Sequence, residues 1–249
     1  MNPKKIFLGA LICSLNFILP GIASQTSIVF EQHLPKAYFM ETLFETLPDN
    51  PKIRSLTLHL LDEWQNYKGN ENPNFDTERL ILAIIYGAEK HHGQTRKDAE
   101  ATPYIIHPLQ VCNNLWEIGH IRNPNILISA ILHDTLEDTS ATENEIQKFF
   151  GSRVCETIKE VTNDPNLATD ENKQRQIDHV PLMSQDARLV KLADRLANIV
   201  DLRAPPPSWN AEKIEGYFTW GQKLLTALKG TNAYLEAALA KEIENHQRG

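Results

Sequence analysis

The chain lacks the marks of several function classes. Three cysteines occur in 249 residues, Cys13, Cys112 and Cys155, with no CxxC and no paired Cys/His spacing, so a cysteine-built zinc site is excluded. There is no positive excess: the formal net charge is −7, which argues against a protein that coats nucleic acid. A local basic cluster beside a metal still admits a small anionic substrate. Alternating apolar/polar strand patterns are scarce, and neither Asn-Gly nor Asp-Gly occurs to close a hairpin. No internal repeat is present. No apolar run reaches the ~20 residues that a spanning helix needs.

What is present is a globular, mostly helical chain with 41% hydrophobic and 23% charged residues. Lys4 and Lys5 precede an apolar stretch, Ile6 to Leu19, broken by Pro20 and Gly21, with small residues at Gly21-Ile22-Ala23. This reads as a cleaved export signal over residues 1–24, with no membrane anchor left after cleavage and an exported, periplasmic or secreted product. Residues 25–75 form an extension and linker. Within it Pro51 to Trp64 has helical spacing, and Asn66 to Asn74, with Gly69, Pro73 and four Asn residues, reads as a loop.

From residue 76 to 249 helix follows helix. Asp76 or Thr77 caps the first, through Lys90; Pro108 sits in the first turn of the second; Asn123-Pro124 opens a third that runs into Glu137. Thr142 to Glu145 fits a capping box, with a stop at Gly151. Asp186 to about Leu202 is helical and is cut off by Pro205-Pro206-Pro207, and two more helices follow. The fold class is therefore all-α. Cys112 and Cys155 read as small buried side chains on separate helices, with a disulfide in an oxidising compartment as the alternative.

The chemistry centres on His133-Asp134, at the end of the apolar run Ile126 to Leu132. Both side chains want polar partners that an apolar wall does not supply, and one divalent cation satisfies both; the plain alternative is an ordinary helix end. Glu137 and Asp138 follow at helical offsets of four. Acids massed there repel unless a cation or proton intervenes, and an acid pair beside a metal can orient water and move a proton. His107 enters the next helix ahead of Pro108, as a ligand or a capping histidine. Asp194 is an acid on an apolar helix face, a ligand or an ion-pair partner of Lys191 or Arg195. Two imidazoles and two carboxylates suit a borderline metal such as Mn²⁺. Arg96 and Lys97 are candidate anion readers, or a solvated helix end.

In order, H-x-G-Q-x-R-K (His91 to Lys97), P-Y-x-x-H-P (Pro103 to Pro108), L-H-D-T-x-E-D-T (Leu132 to Thr139) and V-K-L-A-D-R-L-x-N (Val190 to Asn198) resemble the hydrolase domain of the RelA/SpoT alarmone enzymes. Tyr217-Phe218-Thr219-Trp220 and Lys229 to Asn232 resemble the small stand-alone type, similar to the metazoan SpoT homologue. The resemblance covers about Asp76 to Leu239 and implies the HD-domain helical fold. It implies one Mn²⁺ ion per chain, held by His107, His133, Asp134 and Asp194, and Glu137 and Asp138 as the acid/base pair. It implies nucleotide contacts from Arg96, Lys97, Tyr104 and Asn198, and removal of the 3′-pyrophosphate of ppGpp or pppGpp. Residues 25–75 match nothing in that pattern, and an export signal is unexpected for it. A phosphatase of another 2′- or 3′-phosphorylated nucleotide such as NADPH, or a silent nucleotide-binding module, stays open, as does the oligomeric state.

Overall fold

The computed structural model describes residues 36–248; the expected signal segment lies outside the described residues. Twelve α-helices are formed among them: α1 Lys36–Thr46, α2 Pro51–Asn70, α3 Thr77–Lys90, α4 Ile106–Asn113, α5 Pro124–Leu132, α6 Thr135–Asp138, α7 Glu143–Phe150, α8 Ser152–Val161, α9 Thr169–His179, α10 Gln185–Asp201, α11 Ala211–Ala227 and α12 Ala233–Arg248. The only pairing of extended backbone among the described residues is an isolated bridge between Thr95 and Pro103.

The core is organised by α5. Asn123 caps it through the Asn125 N–H, Pro124 occupies its first turn, and Ile126 to Leu132 are all buried. Ser129, the one polar residue between Ile126 and Leu132, donates to the Asn125 carbonyl at 2.8 Å. A helix apolar on every side belongs at the centre of a core, and α5 packs against α3, α4, α8 and α10. Gly87 lets α3 come close: a Cβ there would lie 3.4 Å from both the Ile131 carbonyl and the Ile105 side chain.

Several sequence boundaries are met. Asp76 caps α3, which runs to Lys90, and Thr142 and Glu145 form the capping box of α7, with Gly151 after its end. Four differ. The helix expected to run unbroken into Glu137 stops at Leu132, because His133 and Thr135 take over its last carbonyls: His133 Nδ1 lies 2.9 Å from Ala130 O, and Thr135 Oγ1 donates to Leu132 O at 2.6 Å. The expected loop from Asn66 is helical as far as Asn70, where Lys68 pairs with Glu78 at 2.8 Å. Residues 36–46, which show no clean period, form α1. The polar stretch Thr169–His179 forms α9 without burying a residue.

One compact unit spans Phe39 to Gly249. Within it α2, from the expected extension, lies against α4 and α3, and Trp64 meets Trp116 edge-on at 6.5 Å. Cys112 and Cys155 are both free and buried.

Candidate metal centre

Three helices bring the predicted residues together. The first turn of α4 carries His107, the end of α5 carries His133 and Asp134, and the middle of α10 carries Asp194. All three helices belong to the core, so the side chains are fixed by packing. His107 is 1% exposed, His133 5% and Asp194 7%. One donor atom from each of these three lies within 4.8 Å of the others. Asp134 joins at the edge: its Oδ2 is 3.1 Å from His133 Nε2 and 3.8 Å from His107 Nε2.

The ion-pair alternative for Asp194 is not formed. Lys191 is buried, but its Nζ donates to the Val161 carbonyl at 2.9 Å. Arg195 stacks over Trp220, its guanidinium carbon 3.6 Å from the ring centre. Neither forms the ion pair with Asp194; Asp194 Oδ1 instead faces His107 Nε2 at 3.2 Å and accepts from Asn198 Nδ2 at 2.5 Å. His133 Nδ1 is committed to the Ala130 carbonyl, which turns Nε2 into the cluster. That Nε2 is buried without a hydrogen-bond partner, with Asp134 Oδ2 3.1 Å away.

The electrostatics ask for positive charge at this point. Burial opposes a charged imidazole, yet Asp134 and Asp194 outweigh it and hold His133 up to about 9. Burial, helped by the charges of Arg96 and His133, pushes His107 the other way, below its ordinary value. Burial also opposes ionisation of Asp134 and Asp194, but the neighbouring imidazoles outweigh it and hold both well below the usual carboxylate range. One buried and one part-buried carboxylate and two imidazoles with an orphaned ring nitrogen are a donor set that fits a divalent ion. The chemistry of the donors, nitrogen and oxygen without thiolate, excludes a soft-metal site.

Around the centre runs a second layer. Tyr104 donates to Asp134 Oδ2 at 2.7 Å. Arg96 Nη2 donates to Asn198 at 3.1 Å and to Asp201 at 2.7 Å, and its guanidinium lies 5.5 Å from the Tyr104 ring centre. Burial disfavours the Arg96 cation, but Asp201 outweighs it and raises the pKa further. Gly93, at φ +80°, turns the chain out of α3 toward this layer, a conformation that favours glycine.

Not every predicted residue joins. Lys97 is exposed. Glu137, on α6, accepts from Asn163 twice: from its backbone N–H at 2.8 Å and from Nδ2 at 2.9 Å. It borders a cleft of about 440 Å³ that Asn163, Lys173, Tyr217 and Trp220 also line. Asp138 sits at the rim, where partial enclosure and the charges of Asp134 and Glu137 push its carboxyl up to about 6. Sequence reasoning missed Asn163, Asp201 and Gln94. Gln94 lies inside the H-x-G-Q motif and donates to the Asp138 carbonyl at 2.6 Å; Asn163 and Asp201 carry no comparable signal.

Fold and centre together define an HD-type metal-dependent domain, and the family comparison agrees: residues 83–216 match the HD domain model. The chain belongs to the HD-domain family, and within it to the small stand-alone type. It is 44% identical over 165 residues to the Xenopus tropicalis guanosine-3′,5′-bis(diphosphate) 3′-pyrophosphohydrolase MESH1, covering 66% of this chain and 92% of that protein. The human protein of the same name is 41% identical over 165 residues, with the same coverage. A solved structure described as a metazoan orthologue of SpoT that hydrolyses ppGpp superposes with a TM-score of 0.66 at 39% identity, over 69% of this chain and 96% of that one.

The relatives correct one expectation. The exported, periplasmic or secreted location drawn from Lys4, Lys5 and the apolar run does not stand: the relatives matched at 41–44% identity are metazoan MESH1 enzymes. Among the described residues no helix is long and apolar enough to cross a membrane.

Proposed function

We propose that the chain removes the 3′-pyrophosphate of guanosine tetra- or pentaphosphate by hydrolysis, giving GDP or GTP and pyrophosphate, with one Mn²⁺ ion per chain. The observation that carries this is a buried His107–His133–Asp194 cluster in a chain that is 41–44% identical, over about nine-tenths of their length, to enzymes named for that reaction. Residues 76–249 form the hydrolase domain, with α2 of the preceding extension packed on it.

His107, His133, Asp134 and Asp194 hold the ion; two imidazoles and two carboxylates suit Mn²⁺. Such an ion supplies Lewis-acid polarisation of a phosphoryl oxygen and eases deprotonation of water. Glu137 and Asp138 orient the attacking water and take its proton. The water oxygen bonds to the 3′-linked phosphorus, the bond from that phosphorus to the ribose 3′ oxygen breaks, and the acid pair returns a proton to the leaving oxygen. Arg96, with its planar donor fork, and Lys97 meet the other phosphates or the base. Tyr104 and Asn198 line the approach and hold Asp134 and Asp194 in place.

The test is product release from ppGpp, pppGpp, NADPH and simple mononucleotides with Mn²⁺ present or chelated. Pyrophosphate from ppGpp that depends on Mn²⁺ is expected. Preferred release of phosphate from NADPH overturns the substrate, and absence of turnover on every compound overturns the enzyme reading.

A further inference from the structure

Glu137 is exposed, and an exposed glutamate ordinarily samples many rotamers. Here both of its carboxylate oxygens are engaged by one residue. Asn163 N–H donates to Oε2 and Asn163 Nδ2 to Oε1, a two-point grip that fixes the plane of the carboxylate as well as its place. Asn163 is itself held. Its Oδ1 accepts from Gln176 Nε2 at 2.8 Å, and Gln176 sits on α9. That bond leaves the Asn163 amide with its NH₂ toward Glu137. On the far side Asp164 N–H donates to Asn172, also on α9, at 3.1 Å, and Asn172 Nδ2 returns to the Asp164 carbonyl at 2.9 Å. The loop that carries Asn163 is thus tied to α9 by side-chain amides, and α9 buries no residue of its own.

We infer that Asn163 is a positioning residue for Glu137, and that Gln176 sets the Asn163 amide so that the relay α9–Gln176–Asn163–Glu137 fixes the reactive carboxylate. The inference rests on the hydrolase reading above and deepens it. A carboxylate that accepts two hydrogen bonds keeps its remaining lone pairs for water, and its orientation is set before substrate arrives. The assignment also gives a role to a helix that the core does not require.

A double-mutant cycle on the full chain with Mn²⁺ tests it, reading ppGpp turnover. Asn163→Ala removes one of the two bonds to Glu137 and is expected to lower kcat about tenfold, with KM and bound metal within about twofold. In the Glu137→Gln background the same substitution is expected to change kcat by less than about twofold, because the carboxylate it positions is gone. Gln176→Leu, which leaves both Asn163 and Glu137 intact, is expected to lower kcat about threefold in the wild-type background. An equal fall from Asn163→Ala in both backgrounds means a general structural effect and overturns the inference. So does an unchanged or raised kcat in Asn163→Ala. Unchanged turnover in Gln176→Leu overturns the link to α9. A wild-type chain inert on every nucleotide phosphate removes the hydrolase reading and the relay with it, a result distinct from an active enzyme with an additive cycle.

Discussion

The two halves of the site are built in opposite ways. The histidines and Asp194 come from α4, α5 and α10, the helices of the core, and are almost wholly buried. Glu137 and Asp138 come from the four-residue α6, are exposed, and are kept in place by polar contacts to Asn163 and Gln94. A ligand shell fixed by close-packed neighbours has little freedom to rearrange. An acid pair hung on hydrogen bonds can adjust, and its geometry depends on every bond being made. For the proposed reaction, the difference would separate a scaffold that sets where the ion goes from a rim that sets how fast the reaction runs.

Cutting the buried half produces the largest effect. Asp134→Ala and Asp194→Ala should each lose the bound ion together with all measurable pyrophosphate release. Metal analysis of the purified protein should fall from about one ion per chain, as proposed for this donor set, to background. Wild-type protein in excess chelator should behave the same way. Full activity in chelator breaks the comparison at its root, since the buried cluster would then be a polar core and nothing more.

Cutting the exposed half should leave the ion in place. Glu137→Gln keeps the shape and removes the charge, and general acid/base groups contribute ~10²–10⁴-fold. The expected result is full metal content, KM within a few-fold, and kcat lower on that scale. Normal turnover in this variant assigns Glu137 to the loop contact with Asn163 alone.

The contrast extends to stability. Leu127, wholly buried in α5, should cost ~2–5 kcal/mol when cut to Ala. Ile177 on α9, only partly buried, should cost about 1 kcal/mol or less for the same change. Denaturant midpoints of the two variants, with the wild-type slope retained, check this. Equal losses would mean that α9 is part of the core after all.

How much of this could be read from the chain alone follows the same division. The candidate ligands were legible because each lies in a short motif that resembles the family's, and their helices because an apolar face gives a period. The break between Leu132 and Thr135 was not, since it is made by His133 and Thr135 side chains competing for the last carbonyls of α5. Asn163 was not legible either. It meets Glu137 across 26 residues of sequence, from a loop whose only signal is polarity. α9 escaped notice because a helix without an apolar stripe has no period to detect. Lys191 and Arg195 looked like partners for Asp194 at helical offsets, and only the packing of α10 shows them turned elsewhere.

Arg96 lies between the two halves, and the smallest predicted effect separates its two meanings. Its guanidinium spans Asn198 and Asp201 with one nitrogen while lying over Tyr104, so it is tied to the second layer of the metal centre. Its side chain remains 18% exposed, enough surface to meet an anion. Lysine in its place keeps the charge but not the planar fork, and a point charge cannot hold these contacts and a phosphate together. Hydrogen bonds to charged groups contribute ~1.5–3 kcal/mol, part of which lysine recovers. Arg96→Lys should therefore raise KM for ppGpp about tenfold, or ~1.4 kcal/mol, with kcat within about threefold and metal content unchanged. If Arg96 instead serves only to pin Asp201 and Asn198, the same variant should lower the melting temperature and leave KM alone. In that case the anion is read by the exposed Lys97, and Lys97→Ala should show the tenfold rise in KM that Arg96→Lys does not.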